Sequence, residues 1–331
     1  MKPPLFWQAP PQAPGLIARL LSPLSIIWRA VDDRRWRRGA HVDPGIPVIC
    51  VGNINMGGTG KTPTVIWLLE HLRDFGLEAH VVSRGYGGRA VGPLEVRPEM
   101  SVADVGDEPL LLAAFARTWV AKDRLAGVRA AKAAGAGVVI LDDGMQNPSV
   151  AKAMTIMVVD AGQGFGNGRI FPAGPLRQSV EDGVARADAV LVLGEPKEQS
   201  RFADSWPQVK AAPVFRGRVA PLQTGMDWSD LRVFAFAGIG RPAKFFATLR
   251  ALGANVAVDR SFADHQPLSD ALLTRMEREA AEIHAQMVTT EKDAARLPAR
   301  WRGKVLTLPV RLEVEDQTGL LEQVEDAISK G

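Results

Sequence analysis

Cysteine is almost missing from this sequence. Its 331 residues hold one, Cys50, so no disulfide can form within the chain, and a reducing compartment is the expected setting. Long apolar runs are missing too. The longest charge-free run near the N-terminus, Leu20 to Trp28, is nine residues and contains Pro23, whereas a membrane span needs about 20. That run comes late and no small-residue cleavage site follows it, so a secretory signal is not expected either. Charge is scarce in excess: the net is +3, with +4 in residues 1–50 and −1 in the remainder. A general nucleic-acid-binding surface is therefore excluded. There is no internal repeat and no low-complexity tract. What is present is an average soluble composition, 46% hydrophobic and 23% charged, on a chain long enough for two ordinary domains.

The N-terminal excess of positive charge lies in an arm, residues 1–45. After a proline-rich start, Leu16, Ile17, Leu20, Leu21, Leu24, Ile27, Trp28 and Val31 recur at helical spacing, followed by Arg34, Arg35, Arg37 and Arg38. Such a helix could pack on the main body with a solvated basic end. It could also lie in a membrane interface, with apolar and Trp contacts to lipid and Arg contacts to anionic head groups. Three of the eight Trp fall in the first 36 residues, which tips the reading toward peripheral membrane contact.

From Pro47 the chain alternates strand and helix. Apolar runs at 47–51, 78–82, 138–141, 155–159 and 189–193 read as buried strands of a largely parallel sheet, with helices at Thr64–Phe75 and Glu108–Ala121 between them. A second α/β series follows: strands at 232–237, 255–258 and 286–289, helices at 242–252 and 268–285. The segments 214–221 and 304–310 are expected to pair as a hinge. The domain plan is thus 46–208, a linker of 209–222 and 304–314, a smaller domain at 223–303, and a last helix, 315–331, returning to the first domain.

One stretch carries chemistry directly. Asn55-Met56-Gly57-Gly58-Thr59-Gly60-Lys61-Thr62-Pro63 follows an apolar strand and opens a helix, the context a P-loop requires. Glycines let backbone N–H groups turn onto phosphates, Lys61 would reach the β- and γ-phosphates, and Thr62 would hold Mg²⁺. Pro63 suits a first helical turn, where its missing N–H costs nothing. Asn55 stands where the pattern wants its first glycine; asparagine tolerates positive φ better than most residues. The strand Val138–Leu141 ends in Asp142 and Asp143, carboxylates of the kind that complete the Mg²⁺ shell in P-loop proteins, with Asp142 the first choice. A bound ATP or GTP follows; its phosphoryl acceptor does not.

Further stretches narrow the choice: V-V-S-R-G-Y-G-G (81–88), V-G-D-E-P-L-L-L-A (105–113), L-D-D-G-M-Q-N (141–147), F-P-A-G-P-L-R-Q (171–178), A-G-I-G-R-P-A-K-F-F (237–246), F-A-D-H (262–265) and V-T-T-E-K-D-A (288–294). In this order they resemble the tetraacyldisaccharide 4′-kinase family, the lipid A 4′-kinases of Gram-negative bacteria. The resemblance implies a P-loop NTPase-like α/β/α sandwich and a smaller α/β/α domain joined by a two-stranded hinge. It implies transfer of the γ-phosphoryl group of ATP–Mg²⁺ to the 4′-hydroxyl of a tetraacyldisaccharide 1-phosphate, at the cytoplasmic face of the inner membrane. It assigns Asp107 as the base, His265 as the group that orients it, and Arg177 to phosphate contact. Arg84, Tyr86, Gln146, Asn147 and Gln178 become candidates for substrate contact. Two positions depart from the family pattern: Asn147 replaces a usual His, and Gln178 a usual Glu. A P-loop ATPase switch recruited to membranes is the alternative, but such proteins carry a lysine where this chain has Met56.

Overall fold

The computed structural model describes residues 4–264 and 266–330. Among these, thirteen strands form two sheets. The first eight strands are β1 (Val48–Gly52), β2 (Ala79–Ser83), β3 (Leu94–Glu95), β4 (Thr118–Val120), β5 (Val138–Asp142), β6 (Met154–Asp160), β7 (Ala189–Leu193) and β8 (Val214–Pro221). They are followed by β9 (Arg232–Ala237), β10 (Asn255–Ser261), β11 (Gln286–Thr290), β12 (Leu306–Leu308) and β13 (Val310–Val314). The larger sheet runs β13-β8-β7-β6-β1-β5-β2-β4-β3, and the smaller β10-β9-β11-β12. All pairings in the larger sheet are parallel except β13 with β8 and β3 with β4, at its two edges.

The helices are α1 (Gly15–Arg37), α2 (Lys61–Asp74), α3 (Val102–Val105), α4 (Asp107–Leu112), α5 (Arg124–Ala133) and α6 (Val180–Ala185). Then come α7 (Pro196–Ser205), α8 (Pro242–Ala251), α9 (Asp270–Glu282), α10 (Glu291–Ala295), α11 (Ala299–Arg302) and α12 (Gln317–Lys330).

The central strands are apolar throughout because both faces of the sheet are covered. Val48, Cys50, Val139 and Leu141 pack on one face with Val128 of α5, Val184 of α6 and Phe202 of α7. Ile49, Val51, Val138 and Ile140 pack on the other with Leu68 and Leu72 of α2 and Leu320 and Val324 of α12. The smaller sheet repeats the plan: Val233 and Ala235 meet Phe245 and Leu249 of α8, while Phe234 and Phe236 meet Leu273 and Met276 of α9. Both sheets are thus the middle layers of α/β/α sandwiches.

Two expectations from the sequence need correction. The helix expected over Glu108–Ala121 stops at Leu112, and Thr118–Val120 is a strand between β2 and β3. β-Branched Thr118 and Val120, flanking Trp119, suit a pleated surface better than a helix. The linker segment expected over 304–314 divides at Pro309. Leu306–Leu308 pairs parallel with β11 in the smaller sheet. Only Val310–Val314 pairs with β8, in antiparallel register, and this pair continues the larger sheet through β7. Proline lacks an N–H to continue a ladder, which lets the chain leave one sheet and enter the other.

The last helix is held by burial more than by propensity. Leu320 is fully buried on the face of the larger sheet. Leu320→Ala should cost about 2–5 kcal/mol of stability. Urea unfolding followed by tryptophan fluorescence checks this; a loss under about 1 kcal/mol would mean that the helix is not docked as described.

Candidate active site

Strand β1 ends at Gly52, and residues 53–60 turn back over its end before α2 begins at Lys61. Gly57 and Gly60 take positive φ, +138° and +98°. Asn55 is not among the described non-glycine residues with positive φ, so the left-handed conformation considered for it is not used. Its backbone pairs with Leu176, and its buried amide donates to the Gly164 carbonyl at 2.9 Å. Asn53, fully buried, holds the loop from inside: its Nδ2 donates to the Gly57 carbonyl and to Thr59 Oγ1, each at 3.1 Å. Nothing in the motif singled out Asn53; its place directly after the strand was the available signal.

Asp142 and Asp143 lie beside this loop because Val51 of β1 is in register with Asp142 of β5. The two carboxylates sit in opposite environments. Asp142 is buried, accepts from Ser83 Oγ at 3.0 Å through one oxygen, and has no partner for the other, Oδ1. Burial, then the charges of Glu108 and Asp143, push its pKa up to about 7 against the opposing pull of Lys61 and Ser83. Asp143 would be raised by burial, but Lys61 and Arg177 outweigh that and hold it below the usual carboxylate range. Its oxygens lie 3.7 Å from Lys61 Nζ and 3.0 and 3.1 Å from Arg177 Nη1. Arg177 Nη1 also donates to Gln146 Oε1 at 3.2 Å, and Gln146 Nε2 donates to the Asn53 carbonyl at 2.8 Å. Carboxylate, guanidinium, amide and phosphate loop form one connected network.

The segment carrying Arg177 is a strap between this loop and α1. The Met56 N–H donates to the Pro175 carbonyl at 2.7 Å, and the Arg177 N–H to the Ile54 carbonyl at 2.7 Å. On the strap's other side, Trp28 Nε1 donates to the Arg177 carbonyl at 3.0 Å and Ser25 Oγ to the Ile170 carbonyl at 2.7 Å.

Asp107 opens α4 and is buried. Gly106 occupies the helix cap, with φ +89°; a Cβ there would meet the Tyr86 carbonyl oxygen at 2.6 Å. Asp107 Oδ1 accepts from the Glu108 N–H at 3.0 Å. Lys292, from α10 beyond the smaller sheet, lies 3.9 Å from Asp107 Oδ2 and 3.3 Å from Glu108 Oε1. Lys292 lay inside a quoted motif, yet its function depends on a contact that sequence spacing does not show.

A cleft of about 290 Å³ separates the two sheets. The phosphate loop, residues 58–63, forms one wall; Ile239, Arg241, Lys244 and Phe245 face it. Arg241 Nη1 crosses the cleft to both oxygens of Asp160, at 2.8 and 2.7 Å.

The remaining sequence candidates are less central. Tyr86 and Arg84 are exposed on the loop after β2. Asn147 spends its side-chain oxygen in a local turn, accepting from the N–H and Oγ of Ser149 at 2.9 and 2.6 Å. Gln178 is buried and accepts from Arg186 Nη1 at 3.2 Å. His265 lies outside the described residues.

An acid whose folded pKa is raised binds an extra proton in the folded state between its two pKa values. Stability therefore falls as pH rises across that window, here from 3.8 to about 7 for Asp142. In protein free of nucleotide and Mg²⁺, the melting temperature should fall between pH 5 and pH 8. Asp142→Asn should flatten that fall. Melting curves of both proteins across this range check it, and an unchanged slope in the variant counts against the assignment.

The chain matches known proteins over nearly its whole length. The model of the family described as tetraacyldisaccharide-1-P 4′-kinase (LpxK) matches residues 17–329. The tetraacyldisaccharide 4′-kinase of Dinoroseobacter shibae is 57% identical over 322 residues, covering 97% of this chain and 96% of its own length. That of Jannaschia sp. is 51% identical over 331 residues, covering both chains in full. A crystal structure of LpxK from Aquifex aeolicus in complex with ATP superposes with a TM-score of 0.77 at 25% identity, covering 95% of this chain and 100% of the other. Fold, site and similarity agree: the chain belongs to the tetraacyldisaccharide-1-P 4′-kinase family.

Proposed function

We propose that this protein transfers the γ-phosphoryl group of ATP to the 4′-hydroxyl of tetraacyldisaccharide 1-phosphate, a step of lipid A biosynthesis. The observation that carries the reading is one cleft lined by both the phosphate loop and Lys292, the cross-cleft partner of buried Asp107. The phosphate cradle and Asp107 then share the larger sheet's side of the cleft, and Lys292 reaches Asp107 from the facing side.

In this reading the 58–63 backbone and Lys61 take the phosphates. Arg177, already fixed beside Lys61 through Asp143, offsets charge on the transferring oxygens. Asp107 accepts the proton of the acceptor hydroxyl as the new P–O bond forms and the bond to ADP breaks. The residues also fit Mg²⁺: the unpartnered Oδ1 of Asp142 is a buried oxygen in want of a cation. Thr62, Asp142 and Asp143 would hold the ion, which when bound neutralises phosphate charge. Ile66, Leu111, Leu193, Ile239 and Phe245 line part of the cleft, and apolar walls around the bound phosphates limit the water that competes with the acceptor.

An acylated acceptor fits a peripheral membrane enzyme at the cytoplasmic face of the inner membrane. No helix among the described residues is long and apolar enough to cross a membrane. However, α1 leaves Leu16 73% and Leu20 70% exposed, with Leu24, Ile27 and Val31 exposed along the same helix. Basic Arg34, Arg35 and Arg37 sit in its last turn. An apolar stripe beside arginines is the composition of an interfacial helix.

Two experiments test these readings. Purified protein with Mg²⁺, γ-labelled ATP and the tetraacyldisaccharide 1-phosphate in detergent micelles should label the lipid. Lys61→Ala and Asp107→Ala should each lower kcat by about a hundredfold or more; full activity in Asp107→Ala would return that residue to a structural place. Separately, the triple change Leu20→Ser, Leu24→Ser and Ile27→Ser should lower binding to anionic phospholipid vesicles by about tenfold or more. These side chains are exposed, so the melting temperature should barely move. Equal vesicle binding by the triple variant would remove α1 from the membrane contact.

A further inference from the structure

The turn from β9 into α8 puts positive charge where a helix is least suited to it. Gly238-Ile239-Gly240 leads to Arg241, which takes the N-cap of α8, and Lys244 follows in the first helical turn. That turn holds no acidic residue, and the Arg241 side chain makes no capping bond. A helix N-terminus carries partial positive charge, so anions favour it and cations oppose it. The turn is nevertheless held in place. Gly238 donates its N–H to buried Asp293 at 3.0 Å, and its carbonyl accepts from Arg296 Nη2 at 3.0 Å. The result is a fixed cationic turn in the wall that faces residues 58–63 of the phosphate loop.

One anion answers it. Asp160 ends β6, which pairs with β1, and it receives Arg241 Nη1 at both carboxylate oxygens, at 2.8 and 2.7 Å. It lies close to the phosphate loop: a Cβ on Gly60 would come within 3.9 Å of Val158 Cγ1, two residues before Asp160. The pair is built to part. Asp160 Oδ1 also accepts from the N–H groups of Gly162 and Gln163, at 2.9 and 3.1 Å, so the carboxylate keeps two donors if Arg241 leaves. The Arg241 side chain is 39% exposed, and among the described residues only its Nη1 is engaged. A guanidinium can grip an oxyanion with two nitrogens in a planar fork. Its hold on Asp160 uses one.

We propose that Arg241 binds the phosphates of the nucleotide: Asp160 holds its guanidinium beside the phosphate loop, and ATP on binding takes that guanidinium over through its polyphosphate oxygens. The inference rests on the reading of this cleft as the ATP site. Asp160 then stands in for a phosphate. One anion replaces another at a helix end that needs one, and the incoming anion carries more charge and more oxygens for the fork. The phosphate of the acceptor has the same chemistry, but the place of Arg241 opposite residues 58–63 favours the nucleotide. The smaller domain is thereby fastened to the phosphate loop through the nucleotide itself.

The experiment is calorimetric binding of ATP with Mg²⁺, without acceptor, to wild type, Arg241→Gln, Asp160→Asn and the double variant. Adenosine is the phosphate-free probe and Lys61→Ala the control. Arg241→Gln should weaken ATP by about tenfold or more and leave adenosine within about twofold. Asp160→Asn should act in the opposite direction and tighten ATP by about threefold or more, since the guanidinium no longer has to leave a carboxylate. The double variant separates exchange from charge felt at a distance. If the pair breaks on binding, the gain from Asp160→Asn should shrink by about threefold or more once Arg241 is gone. Equal gains in the two backgrounds would overturn the proposal, because the pair then stays intact with ATP bound. Unchanged ATP affinity in Arg241→Gln would overturn it, and so would equal weakening of ATP and adenosine. A rise confined to the KM for the acceptor would overturn it in favour of the acceptor phosphate. If wild type binds no ATP, or Lys61→Ala binds it equally well, the reading of the cleft fails and the proposal with it; neither result resembles a failure confined to Arg241.

Discussion

The register of β1 against β5 is the constraint on which the rest depends. Val51 sits beside Asp142, so one strand ends at the phosphate loop where its neighbour ends at a pair of carboxylates. Both strands are buried at every position. Alternate side chains enter separate helical layers, so a slip of one residue would send each to the wrong layer. The sheet's packing therefore determines where Lys61 meets Asp143. Arg177 joins them from a loop anchored to the same turn, and Asn53 and Gln146 complete the link without adding charge. A site of this kind needs little local design once the two strands are in place.

Charge is then distributed by environment rather than by residue type. Adjacent aspartates in one strand end differ because one is met by a hydroxyl and the other by two cations. Neighbouring titratable groups pushed in opposite directions are how a single cleft can offer both a stable anion and a proton-sensitive oxygen. The same logic extends across the cleft, where Arg241 meets Asp160 and Lys292 meets Glu108. These pairs hold two sandwiches that share little core. They are partly solvated, so each contributes modestly to stability and can be exchanged for phosphate contacts at modest cost.

Much of this was legible in the sequence, and the exceptions share a cause. Strands β1, β5, β6 and β7 show as unbroken apolar runs because both their faces are buried. The glycine-rich turn shows because its chemistry is local. Thr118–Val120 did not show: a three-residue strand gains its identity from lateral pairing with β2 and β3, which no short window contains. The division at Pro309 was hidden for the same reason, since 306–308 and 310–314 are both β-prone and only their partners differ. Lys292 was passed over because its contact with Glu108 spans 184 residues. Asn147 drew notice as a departure from the family pattern, yet its side-chain oxygen is taken up by Ser149. Family resemblance supplied what periodicity could not, namely which loop acid to read as a base.

The strap that carries Arg177 touches α1 through Trp28 and Ser25 and the phosphate loop through Met56 and Ile54. It therefore sets a stand-off between the exposed stripe of α1 and the phosphate site. Were that stripe to rest on a bilayer, as proposed, the phosphate site would ride at one height above the lipid plane. Acceptors would then arrive by lateral diffusion in two dimensions instead of leaving the bilayer for solution. Turnover in such an arrangement follows the mole fraction of acceptor in the surface, so inert lipid would slow the enzyme by surface dilution while its bulk concentration stayed the same.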